Sequence, residues 1–496
     1  MRFQSSFSVA ALAGLAAANP LSSRAVLDDC LKAANVPSSA KNSNDWNADV
    51  KPFNQRLPYT PVAIIAATTV DHVQAAVSCA AKAGVKVNPK SGGHSYASFG
   101  LGGENGHLVI ELDRMSKVTL DSTTNIATIQ AGARLGHVFT ELYKQGKRAF
   151  SHGTCAGVGV AGHSLHGGFG FSSHTHGLAV DWIVGATVVL ANATIVEVSK
   201  TVNPDLFWAL RGAGSSFGVV VSFRFNTFAA PSQVTAFQVN LPWSSASSIA
   251  SGWQGLQDWT ATSQPAEMNM RVFGSPSQTQ LQGLYYGSSS QLRTAIQPLL
   301  SKIGASLSNA QQYDWTGAFV YYTYGSAGAV DVSHPYNTVE TFYSKSLVTK
   351  ALPAKTLQAV GDYWISKAKS VNRDWYIIID FYGGANSAVT SVPDDDSSYA
   401  YRGDYRYLFE FYDRVNSGSY PSNGFGFLDG WVKSFTDNLS QSQWGMYINY
   451  ADPTMNRTEA ISNYWRQSLP KLQQIKAAVD PNELFYYPQS IPAGGK

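Results

Sequence analysis

Short apolar runs alternate with helix-forming stretches along the first part of the chain. An apolar strand is predicted at Val62–Ala66, followed by a helix that ends near Gly84 and a second strand at Val85–Asn88. This order of elements predicts a βαβ-like unit. The second strand leads into a loop with two consecutive glycines, Gly92 and Gly93, which allow backbone amides to approach a ligand closely.

The same pattern continues to about residue 230, where Pro231 and Ser232 indicate a boundary. A capped helix with a proline in its first turn is predicted at Asn203–Arg211. The other elements predicted in this region are strands at Leu108–Leu112, Val118–Leu120, Ala127–Gln130, Ile183–Leu190, Ile195–Val198 and Val219–Phe225, and a helix around Leu135–Gln145.

Residues from about 230 to 440 show a different pattern, in which alternating strands are interleaved with helices. This order predicts an antiparallel sheet with helices on one face. The elements are strands at Ala236–Leu241, Met268–Phe273, Leu281–Tyr286, Trp375–Phe381 and Tyr405–Tyr412, and a helix at Gln291–Ile303. Ser468 then caps a predicted helix at Leu469–Val479, and we expect the apolar tail after it to pack against the body of the protein.

Composition and charge narrow the class of protein. The chain has 496 residues, which is long enough for two or three domains. The net charge is +3, and no cluster of lysine or arginine interrupts the sequence. This excludes an electrostatic surface for nucleic acid or for an anionic membrane. Aromatic residues make up 12% of the chain, which suits stacking on sugar rings but mostly reflects core packing.

The N-terminus has the features of a secretory signal peptide at residues 1–18. One basic residue, Arg2, precedes an apolar stretch at Phe7–Ala17, and small residues lie before Asn19. Beyond this segment no apolar run is long enough to span a bilayer. We therefore expect a secreted, extracellular protein. In a secreted protein, N-x-S/T triplets are possible glycan acceptors, and the chain has three such triplets, which begin at Asn192, Asn438 and Asn456.

The chain has three cysteines, Cys30, Cys79 and Cys155. In an oxidising compartment two of them should form a disulfide, and the presence of a third, unpaired cysteine then requires a separate explanation. Cys30 and Cys79 each lie in a predicted helical stretch, and a disulfide between them would tie down the N-terminus. This leaves Cys155 as the reactive cysteine. It lies in a loop from Gly153 to Gly170 that holds seven glycines, far more than a packed element tolerates.

Several motifs occur together in this chain. They are Lys90-Ser-Gly-Gly-His94-Ser-Tyr96, Gly153-Thr154-Cys155, Gly162-His163 with Gly167-Gly168-Phe169-Gly170, Gly177-Leu178 with Asp181, and the tail Phe485–Ile491. In this combination the chain resembles the bicovalent branch of the vanillyl-alcohol-oxidase superfamily. It is most similar to the fungal gluco-, chito- and xylo-oligosaccharide oxidases and carbohydrate oxidases, with the plant berberine-bridge-like enzymes as more distant members. The resemblance covers nearly the whole chain after the signal peptide.

The resemblance implies an α+β fold with a two-part FAD-binding domain of the vanillyl-alcohol-oxidase type. The resemblance also implies a substrate domain, which consists of a large antiparallel sheet flanked by helices. We expect the FAD-binding domain at residues 19–229 and the substrate-binding domain at residues 230–440. A C-terminal berberine-bridge-like segment at residues 441–496 is expected to return to the FAD-binding domain, and the protein is expected to be a monomer.

The resemblance also implies that FAD is held by two covalent bonds. His94 bonds a methyl group of the flavin, and Cys155 bonds the adjacent ring carbon. Taken singly, each residue is more often structural, but their joint occurrence in two glycine-rich loops favours attachment. Backbone amides of these loops are expected to hold the pyrophosphate. The other residues expected at the cofactor are Lys90, Ser91, Gly92, Gly93, Ser95, Gly153, Gly159, Gly162, Tyr487 and Gln489.

By the same resemblance, Tyr450 matches the base that takes the proton of the anomeric hydroxyl, and Asp380 matches its partner. A phenol with a pKa of about 10 is a poor base at neutral pH unless an acceptor holds or relays its proton. A carboxylate does this while disfavouring a resting tyrosinate, so we expect concerted transfer. The implied reaction oxidises the reducing-end hemiacetal of gluco- or xylo-type oligosaccharides to a lactone and then an aldonic acid, with O₂ reduced to H₂O₂.

The chain departs from the family pattern at the expected sugar site. Ile378 and Glu410 stand where glucose-type members carry glutamines that contact sugar hydroxyls, and Phe273 stands where some relatives have a polar residue. Loss of an amide at Ile378 removes a hydrogen-bond partner, which can shift selectivity strongly between sugars. The other expected sugar contacts are Tyr96, Thr154 and Tyr376.

Other functions fit the sequence less well. A nicotinamide-dependent enzyme is rejected because Gly212, Gly214 and Gly218 have the wrong spacing and follow a helix. A metal site is disfavoured because the histidines between His163 and His176 lack an HExxH signature and a nearby carboxylate. Two alternatives stay open. One is a berberine-bridge-like oxidase or dehydrogenase of a secondary metabolite or alcohol, which the apolar Ile378 makes less remote. The other is a non-catalytic flavin-fold or sugar-binding protein.

Overall fold

The computed structural model describes residues 20–323 and 338–494, so the predicted signal peptide lies outside the described residues. The strands are β1 (Ala63–Ala66), β2 (Val87–Lys90), β3 (Leu108–Glu111), β4 (Val118–Leu120), β5 (Ile126–Gln130), β6 (Arg148–Ala149), β7 (Ile183–Val189), β8 (Ile195–Val198), β9 (Val219–Asn226), β10 (Phe228–Ala229), β11 (Val234–Asn240), β12 (Met268–Gly274), β13 (Thr279–Tyr285), β14 (Leu307–Tyr313), β15 (Thr341–Thr349), β16 (Asp374–Phe381), β17 (Tyr407–Val415) and β18 (Trp444–Gly445).

The helices connect these strands or cover the sheets that they form. The α-helices are α1 (Pro20–Ala33), α2 (Asn44–Asp49), α3 (Val70–Ala83), α4 (Leu135–Gly146), α5 (Val160–Ser164), α6 (Ser173–His176), α7 (Pro204–Ala213), α8 (Ala246–Thr262), α9 (Ser289–Ile303), α10 (Trp315–Thr323), α11 (Ala354–Ser366), α12 (Ala388–Ser391), α13 (Phe425–Thr436), α14 (Arg457–Trp465) and α15 (Leu469–Val479). Short 3₁₀ helices occur at Phe99–Leu101, Ala179–Trp182, Gly214–Ser216, Ala368–Ser370, Ser422–Gly424, Gln441–Gln443, Ile448–Tyr450 and Arg466–Ser468.

The predicted βαβ-like unit is present, but its two strands are not neighbours. Helix α3 begins where the Thr69 hydroxyl accepts a hydrogen bond from the backbone N–H of His72, and it ends at Gly84 in the left-handed conformation. Strands β1, β3 and β2 then form a parallel sheet in that order, so β3 lies between the strands of the unit. A parallel connection that skips one position leaves room for a later strand to insert.

The second sheet before residue 230 is antiparallel, with strand order β4-β5-β9-β7-β8. Its strands match the predicted apolar runs closely, and β4 and β8 have the predicted bounds. Most residues of β9 are buried, including Phe223 and Phe225. A central strand that is covered on both faces needs a nearly continuous apolar run, which explains why the sequence marked it clearly.

The third sheet has eight strands in the order β14-β11-β13-β12-β16-β17-β15-β18, and its neighbouring strands are antiparallel. Side chains alternate between its two faces along each strand. Trp375 of β16 and Phe411 of β17 contact Trp431 of helix α13, with ring centroids 5.2 and 5.8 Å apart. The opposite face carries polar side chains. This arrangement confirms the predicted α+β fold with an antiparallel sheet flanked by helices.

Some elements of this sheet were not predicted. Strand β14 is an edge strand whose residues are partly or fully exposed, so it lacks the apolar alternation that signals a strand. Strand β15 carries Ser344 and Ser346 at buried positions that an apolar residue normally occupies. Strand β18 lies beyond residue 440 and pairs with β15, so the C-terminal segment also contributes to the large sheet.

The C-terminal tail packs against the first part of the chain. The backbone N–H of Val87 in β2 donates to the carbonyl of Leu484 at 2.9 Å, which extends the pairing of the parallel sheet. The N–H of Ile491 donates to the hydroxyl of Ser216 at 3.1 Å. The buried ammonium of Lys476 donates to the carbonyls of Ser216 and Phe485, at 2.6 and 3.0 Å. These bonds satisfy tail groups that would otherwise be buried without partners.

Cys30 in α1 and Cys79 in α3 form the predicted disulfide, with Cα atoms 5.5 Å apart. The bond closes a loop with a sequence separation of 49 residues. A crosslink of this length reduces the conformational freedom of the unfolded chain. It therefore stabilises the packing of the N-terminal helix on α3.

We predict that the double variant Cys30→Ser/Cys79→Ser lowers the free energy of unfolding by about 2–4 kcal/mol, because the unfolded chain regains loop entropy. Urea denaturation of the variant and the wild type measures this difference. Wild type that is unfolded in the presence of a reductant serves as the control and should match the variant. Equal midpoints for oxidised wild type and variant would contradict the prediction.

Candidate active site

A cavity of about 1040 Å³ lies between the glycine-rich loops and the polar face of the large sheet. Its size is at the upper end of the range for small-molecule and cofactor sites, which is about 300–1,000 Å³. The cavity brings together most residues that the sequence singled out. These are Lys90, Ser91, Gly92, Gly93, His94, Ser95, Tyr96, Gly153, Thr154, Cys155, Gly159, Gly162, Phe273, Tyr376, Ile378, Asp380, Glu410, Tyr450 and Tyr487.

Two glycine-rich loops meet backbone to backbone at one end of the cavity. A Cβ atom placed on Gly92 would lie 2.3 Å from the backbone nitrogen of Gly159, and one placed on Gly159 would lie 2.2 Å from that of Gly92. Neither position therefore tolerates a side chain. The next residue, Gly93, has φ +68°, which also favours glycine. At Gly92 and Gly159 glycine is required by the contact between the loops themselves.

His94 and Cys155 are brought together by this contact, although 61 residues separate them in the sequence. The Nε2 atom of His94 lies 3.6 Å from the Sγ atom of Cys155. The imidazole stacks on Phe53 with ring centroids 3.7 Å apart. Burial, with a smaller contribution from the Arg134 guanidinium, lowers the pKa of His94 to about 3. His94 is therefore a neutral imidazole at physiological pH.

The polar side chains of the His94 loop form hydrogen bonds and an ion pair with other residues of the protein. The ammonium of Lys90 pairs with Glu111 and donates to the carbonyl of Asp49 at 2.9 Å. Burial raises the pKa of Glu111 to about 7, against the opposing effect of Lys90. The hydroxyl of Ser91 donates to the carbonyl of Ala131 at 2.5 Å. These bonds hold the loop in shape, so its contribution to the cavity is mainly backbone.

Tyr487 and Gln489 differ in position. Tyr487 lines the cavity, and its ring packs against Phe99 with centroids 4.6 Å apart. Gln489 is not among the residues of the described chain that line the cavity. Its amide donates to the carbonyls of Asp452 and Met455 at 2.7 and 3.1 Å. Gln489 therefore stabilises the loop that follows Tyr450, and its predicted contact with the cofactor has no support in the geometry.

Strand register brings the sheet residues of the site into one row. Arg271 in β12 pairs with Asp380 in β16, and Ile378 pairs with Glu410 in β17. Because paired residues of neighbouring strands point to the same side, all four face the cavity. Burial raises the pKa of Asp380 to about 7, with Arg271 opposing and Glu410 adding to the shift. Asp380 can therefore accept and release a proton near neutral pH.

Glu410 accepts hydrogen bonds from two tyrosines. The hydroxyls of Tyr96 and Tyr376 donate to its Oε1 atom at 2.6 and 2.9 Å. Burial raises the pKa of Glu410, and the two hydrogen bonds lower it. The carboxylate is thus fixed in position, with its second oxygen as a further acceptor at the cavity. A glutamine at this position would offer both a donor and an acceptor.

Tyr450 lies in the 3₁₀ turn Ile448–Tyr450 and stacks on Tyr96 with ring centroids 5.7 Å apart. Burial raises its pKa well above the usual value, and the charges of Glu410 and Asp380 add to the shift. Tyr450 is therefore a neutral phenol at rest. Within the residues that the structure describes, its hydroxyl makes no hydrogen bond, which leaves it available to a ligand in the cavity.

The turn that carries Tyr450 is held from two sides. The backbone N–H of Tyr447 donates to the hydroxyl of Ser346 at 2.9 Å, and this hydroxyl donates to the carbonyl of Tyr447 at 3.1 Å. The amide of Asn449 donates to the carbonyl of His163 at 3.2 Å. The turn therefore links the large sheet to the glycine-rich loop that contains Cys155.

Two of the histidines that follow Cys155 act as hydrogen-bonding groups. The Nε2 atom of His163 accepts from the backbone N–H of Gly153 at 3.0 Å, and the Nδ1 atom of His166 donates to the carbonyl of Gly162 at 2.8 Å. Across residues 20–323 and 338–494, no group of three or more histidine, cysteine or acidic side chains is arranged to hold a metal ion.

The residues at the cavity fit a flavin nucleotide. The Nε2 atom of His166 lies at the wall, is buried and has no hydrogen-bond partner among the described residues, so it can accept from a ligand hydroxyl. The loops of Gly92 and Gly159 present backbone at close quarters, and His94 and Cys155 supply two groups able to form covalent bonds. Cavity volume, backbone lining and these two side chains are together consistent with a large, attached cofactor.

Sequence reasoning missed several residues that shape the site. Arg271 was the one charged residue in an otherwise uncharged predicted strand, and this signal could have identified it. Asn449 directly precedes the predicted base Tyr450, but no role was predicted for it from the sequence. Arg134 donates to the carbonyls of Gly92 and Gly157, and Glu340 accepts from Tyr412 and Arg414. No local pattern indicates partners this distant in sequence.

Fold and site together define a flavin-dependent oxidoreductase. The family model described as "FAD binding domain" matches residues 61–199, and that described as "Berberine and berberine like" matches residues 446–492. The chain is 62% identical to xylooligosaccharide oxidase from Thermothelomyces thermophilus, over 96% of each chain. In the part of the protein described by the structure, no helix has the length and apolar character needed to cross a membrane.

Solved structures agree with the sequence matches. Xylooligosaccharide oxidase from Myceliophthora thermophila C1, in complex with xylobiose, superposes with a TM-score of 0.94 at 61% identity. This match covers 95% of the present chain and 100% of that chain. Glucooligosaccharide oxidase from Acremonium strictum, which carries 6-S-cysteinyl, 8α-N1-histidyl FAD, matches with a TM-score of 0.91 at 43% identity, over 95% and 100% of the two chains. The chain belongs to the berberine-bridge-like family of FAD-dependent oligosaccharide oxidases.

Proposed function

We propose that the protein oxidises the reducing-end hemiacetal of xylo- or gluco-type oligosaccharides to a lactone, which hydrolyses to an aldonic acid. O₂ serves as the electron acceptor and is reduced to H₂O₂. The observation that carries this proposal is the placement of Tyr450 and Asp380 on one wall of the cavity that also holds His94 and Cys155. The names of these two relatives support the same substrate class.

The cofactor in this proposal is FAD, attached through His94 and Cys155. The chemistry that FAD supplies when bound is acceptance of a hydride from the anomeric carbon and transfer of two electrons to O₂. The 3.6 Å separation of the two side chains supports attachment to one ring system. In the glucooligosaccharide oxidase the linkages are at position 6 and at the methyl group on position 8, so one ring carbon lies between them, and we propose this pair of positions in place of the adjacent carbon expected from the sequence. The backbone of the two glycine-rich loops would hold the remainder of the nucleotide.

Tyr450 is proposed as the base and Asp380 as its partner. Because the pKa of Tyr450 is raised well above the usual value, the phenol can take a proton only while it gives up its own. Asp380, with a pKa of about 7, is a suitable acceptor for that proton near neutral pH. Arg271, which pairs with Asp380 across the strands, stabilises the carboxylate form. The proton thus leaves the anomeric hydroxyl through Tyr450 as the hydride departs.

The sugar contacts are proposed from the same wall. Glu410, fixed by Tyr96 and Tyr376, accepts from sugar hydroxyls. Ile378 and Phe273 are paired across β16 and β12 and form an apolar patch beside it. An apolar patch suits a pentose ring, which lacks the hydroxymethyl group of glucose. This favours xylo-type over gluco-type substrates, as does the higher identity to the xylooligosaccharide oxidase. Thr154 is proposed as a further contact on the loop side.

Secretion, glycosylation and domain organisation also remain proposals. The Cys30–Cys79 disulfide supports an oxidising, extracellular location. Asn192 and Asn456 are exposed, and Asn438 is half-buried, so glycans at the first two positions are compatible with the fold. We propose an FAD-binding domain at residues 19–229, a substrate-binding domain at residues 230–440 and a C-terminal segment at residues 441–496. The separate sheets and the contacts of the C-terminal tail support this division. We also propose a monomer.

A substrate panel tests the proposed function. We predict H₂O₂ release with xylobiose, weaker release with cellobiose and lactose, little with chitobiose and none with aromatic alcohols. Peroxide formation and oxygen consumption measure this directly. Turnover of the alcohols alone would refute the sugar assignment and favour a secondary-metabolite oxidase. Flavin reduction by sugar without oxygen consumption would assign a dehydrogenase.

We predict that Tyr450→Phe lowers the rate of flavin reduction by about 10²–10⁴-fold, because the base is lost while the ring still fills its place. Stopped-flow absorbance under anaerobic conditions measures this rate. The variant should keep the yellow colour of the wild type. Tyr363→Phe, which removes a hydroxyl that bonds the carbonyl of Phe427 outside the cavity, is the matched control. Unchanged reduction in Tyr450→Phe would remove this residue from its role.

The pKa of Asp380 predicts a pH dependence of the reaction. A carboxyl whose pKa is raised to about 7 loses its ionised form as the pH falls below that value. We therefore expect kcat/KM to rise with pH, to bend near pH 7 and to become flat above it. Asp380→Asn should be slow and should lose the bend. Asp374→Asn, in the same strand but outside the cavity lining, should keep it. A bend that survives in Asp380→Asn would assign it to another group.

A further inference from the structure

Arg134 lies at the junction of the two loops that carry His94 and Cys155. Its side chain is buried, and the Nη1 atom donates to the carbonyl of Gly92 at 2.5 Å and to that of Gly157 at 2.7 Å. One acceptor belongs to the His94 loop and the other to the Cys155 loop. A single guanidinium therefore bonds both loops at the point where they meet.

The backbone next to Arg134 fixes one of these loops. The carbonyl of Ala133 accepts from the N–H of Val160 at 2.9 Å, and the N–H of Leu135 donates to the carbonyl of Val158 at 2.9 Å. Arg134 itself forms an antiparallel bridge with Gly159. The Cys155 loop is thus paired with the strand-like segment from which the Arg134 side chain projects, and this side chain then reaches across to the His94 loop.

The spacing of the loops is tight enough to depend on this bond. The backbones of Gly92 and Gly159 approach so closely that neither could carry a Cβ atom. The Arg134 guanidinium lies 3.1 Å from the position that a Cβ of Gly92 would take. Two residues beyond Gly92 comes His94, whose ring lies 3.6 Å from Cys155. A shift of either loop by a fraction of this distance would separate the two side chains.

We propose that Arg134 is a positioning residue that holds the His94 and Cys155 loops together, so that both side chains become bonded to one flavin. This inference rests on the cofactor attachment in the proposed function. Arginine suits the role because its charge is permanent and its planar fork serves several acceptors in a fixed geometry. The nearby positive charge also disfavours a protonated His94, so the ring stays a neutral imidazole, which is the nucleophilic form.

The attachment that Arg134 supports replaces two hydrogens of the flavin. At His94 an N–C bond forms while the N–H bond and a methyl C–H bond break, and at Cys155 an S–C bond forms while the S–H bond and a ring C–H bond break. Each bond formed releases two electrons and two protons, which reduce one O₂ to H₂O₂. Arg134 takes no part in these steps beyond placing the two side chains.

Variants of Arg134 test the proposal through the attachment itself. Full-length apoprotein of wild type, Arg134→Lys and Arg134→Leu is mixed with FAD in air. Samples are acid-precipitated over time, digested and analysed by mass spectrometry for peptides that the flavin joins. In the wild type we expect one flavin to join the His94 and Cys155 peptides. In Arg134→Leu we expect the doubly joined species to form about 100-fold more slowly, with flavin on one peptide accumulating first. Arg134→Lys should be intermediate.

Two controls separate a positioning role from general damage. Arg211→Lys alters another buried arginine, which pairs with Asp396 away from the cavity, and should attach flavin at the wild-type rate. Gly92→Ala leaves Arg134 intact but forces the loops apart, and should reproduce the loss of double attachment. If Arg134→Leu fails to fold, the milder variant Arg134→Lys keeps the test decisive.

The outcomes are distinct. Wild-type rates of double attachment in both Arg134 variants would overturn the proposal, as would an equal loss in Arg211→Lys. Wild-type attachment in Gly92→Ala would overturn the dependence on loop spacing. Wild-type protein that releases all its flavin into the acid supernatant would instead refute covalent attachment in the proposed function.

Discussion

The contact between the Gly92 and Gly159 loops is the constraint on which the site depends. Two backbones can approach this closely only where neither residue carries a side chain. The contact brings together segments that are far apart in sequence, and it leaves the backbone of both loops facing one cavity. His94, Cys155 and the turn of Tyr450, which Asn449 ties to the same loop, take their positions from it.

The large sheet supplies the chemistry opposite these loops. Its alternation sends Trp375 and Phe411 toward helix α13, while their neighbours along the strands face the cavity. The hydrophobic face anchors the sheet, so the other face can carry buried carboxylates that would be costly elsewhere. Asp380 is balanced by Arg271, and Glu410 by two tyrosine hydroxyls. At Asp380 the positive charge of Arg271 only partly offsets the effect of burial, so the pKa of this carboxyl stays at about 7.

Residues proposed to contact the sugar lie on this same wall. Ile378 and Glu410 are paired across neighbouring strands, so a change at either position alters one patch of the surface. Ile378 offers neither a donor nor an acceptor to a ligand, whereas the carboxylate of Glu410 offers acceptors. Strand β16 thus carries both Asp380, proposed to take part in the oxidation, and Ile378, proposed to contact the sugar.

The sequence by itself determined the fold class, the strand and helix positions with strong apolar patterns, the disulfide and the family. Regular periodicity and local motifs carry that information, because they reflect contacts between residues close in the chain or a resemblance across it. It did not identify the polar edge strand β14, the buried serines of β15 or the place of Gln489 behind the cavity.

Only the tertiary structure decided which residues meet. The insertion of β3 between the strands of the βαβ-like unit, the bond from Arg134 to both loops and the pairing of Arg271 with Asp380 join segments that no local pattern connects. The pKa of Asp380 and the fixed carboxylate of Glu410 follow from burial and from partners on other strands. Such properties arise from distances in the folded chain, and a linear sequence specifies those distances only through the packing of the whole.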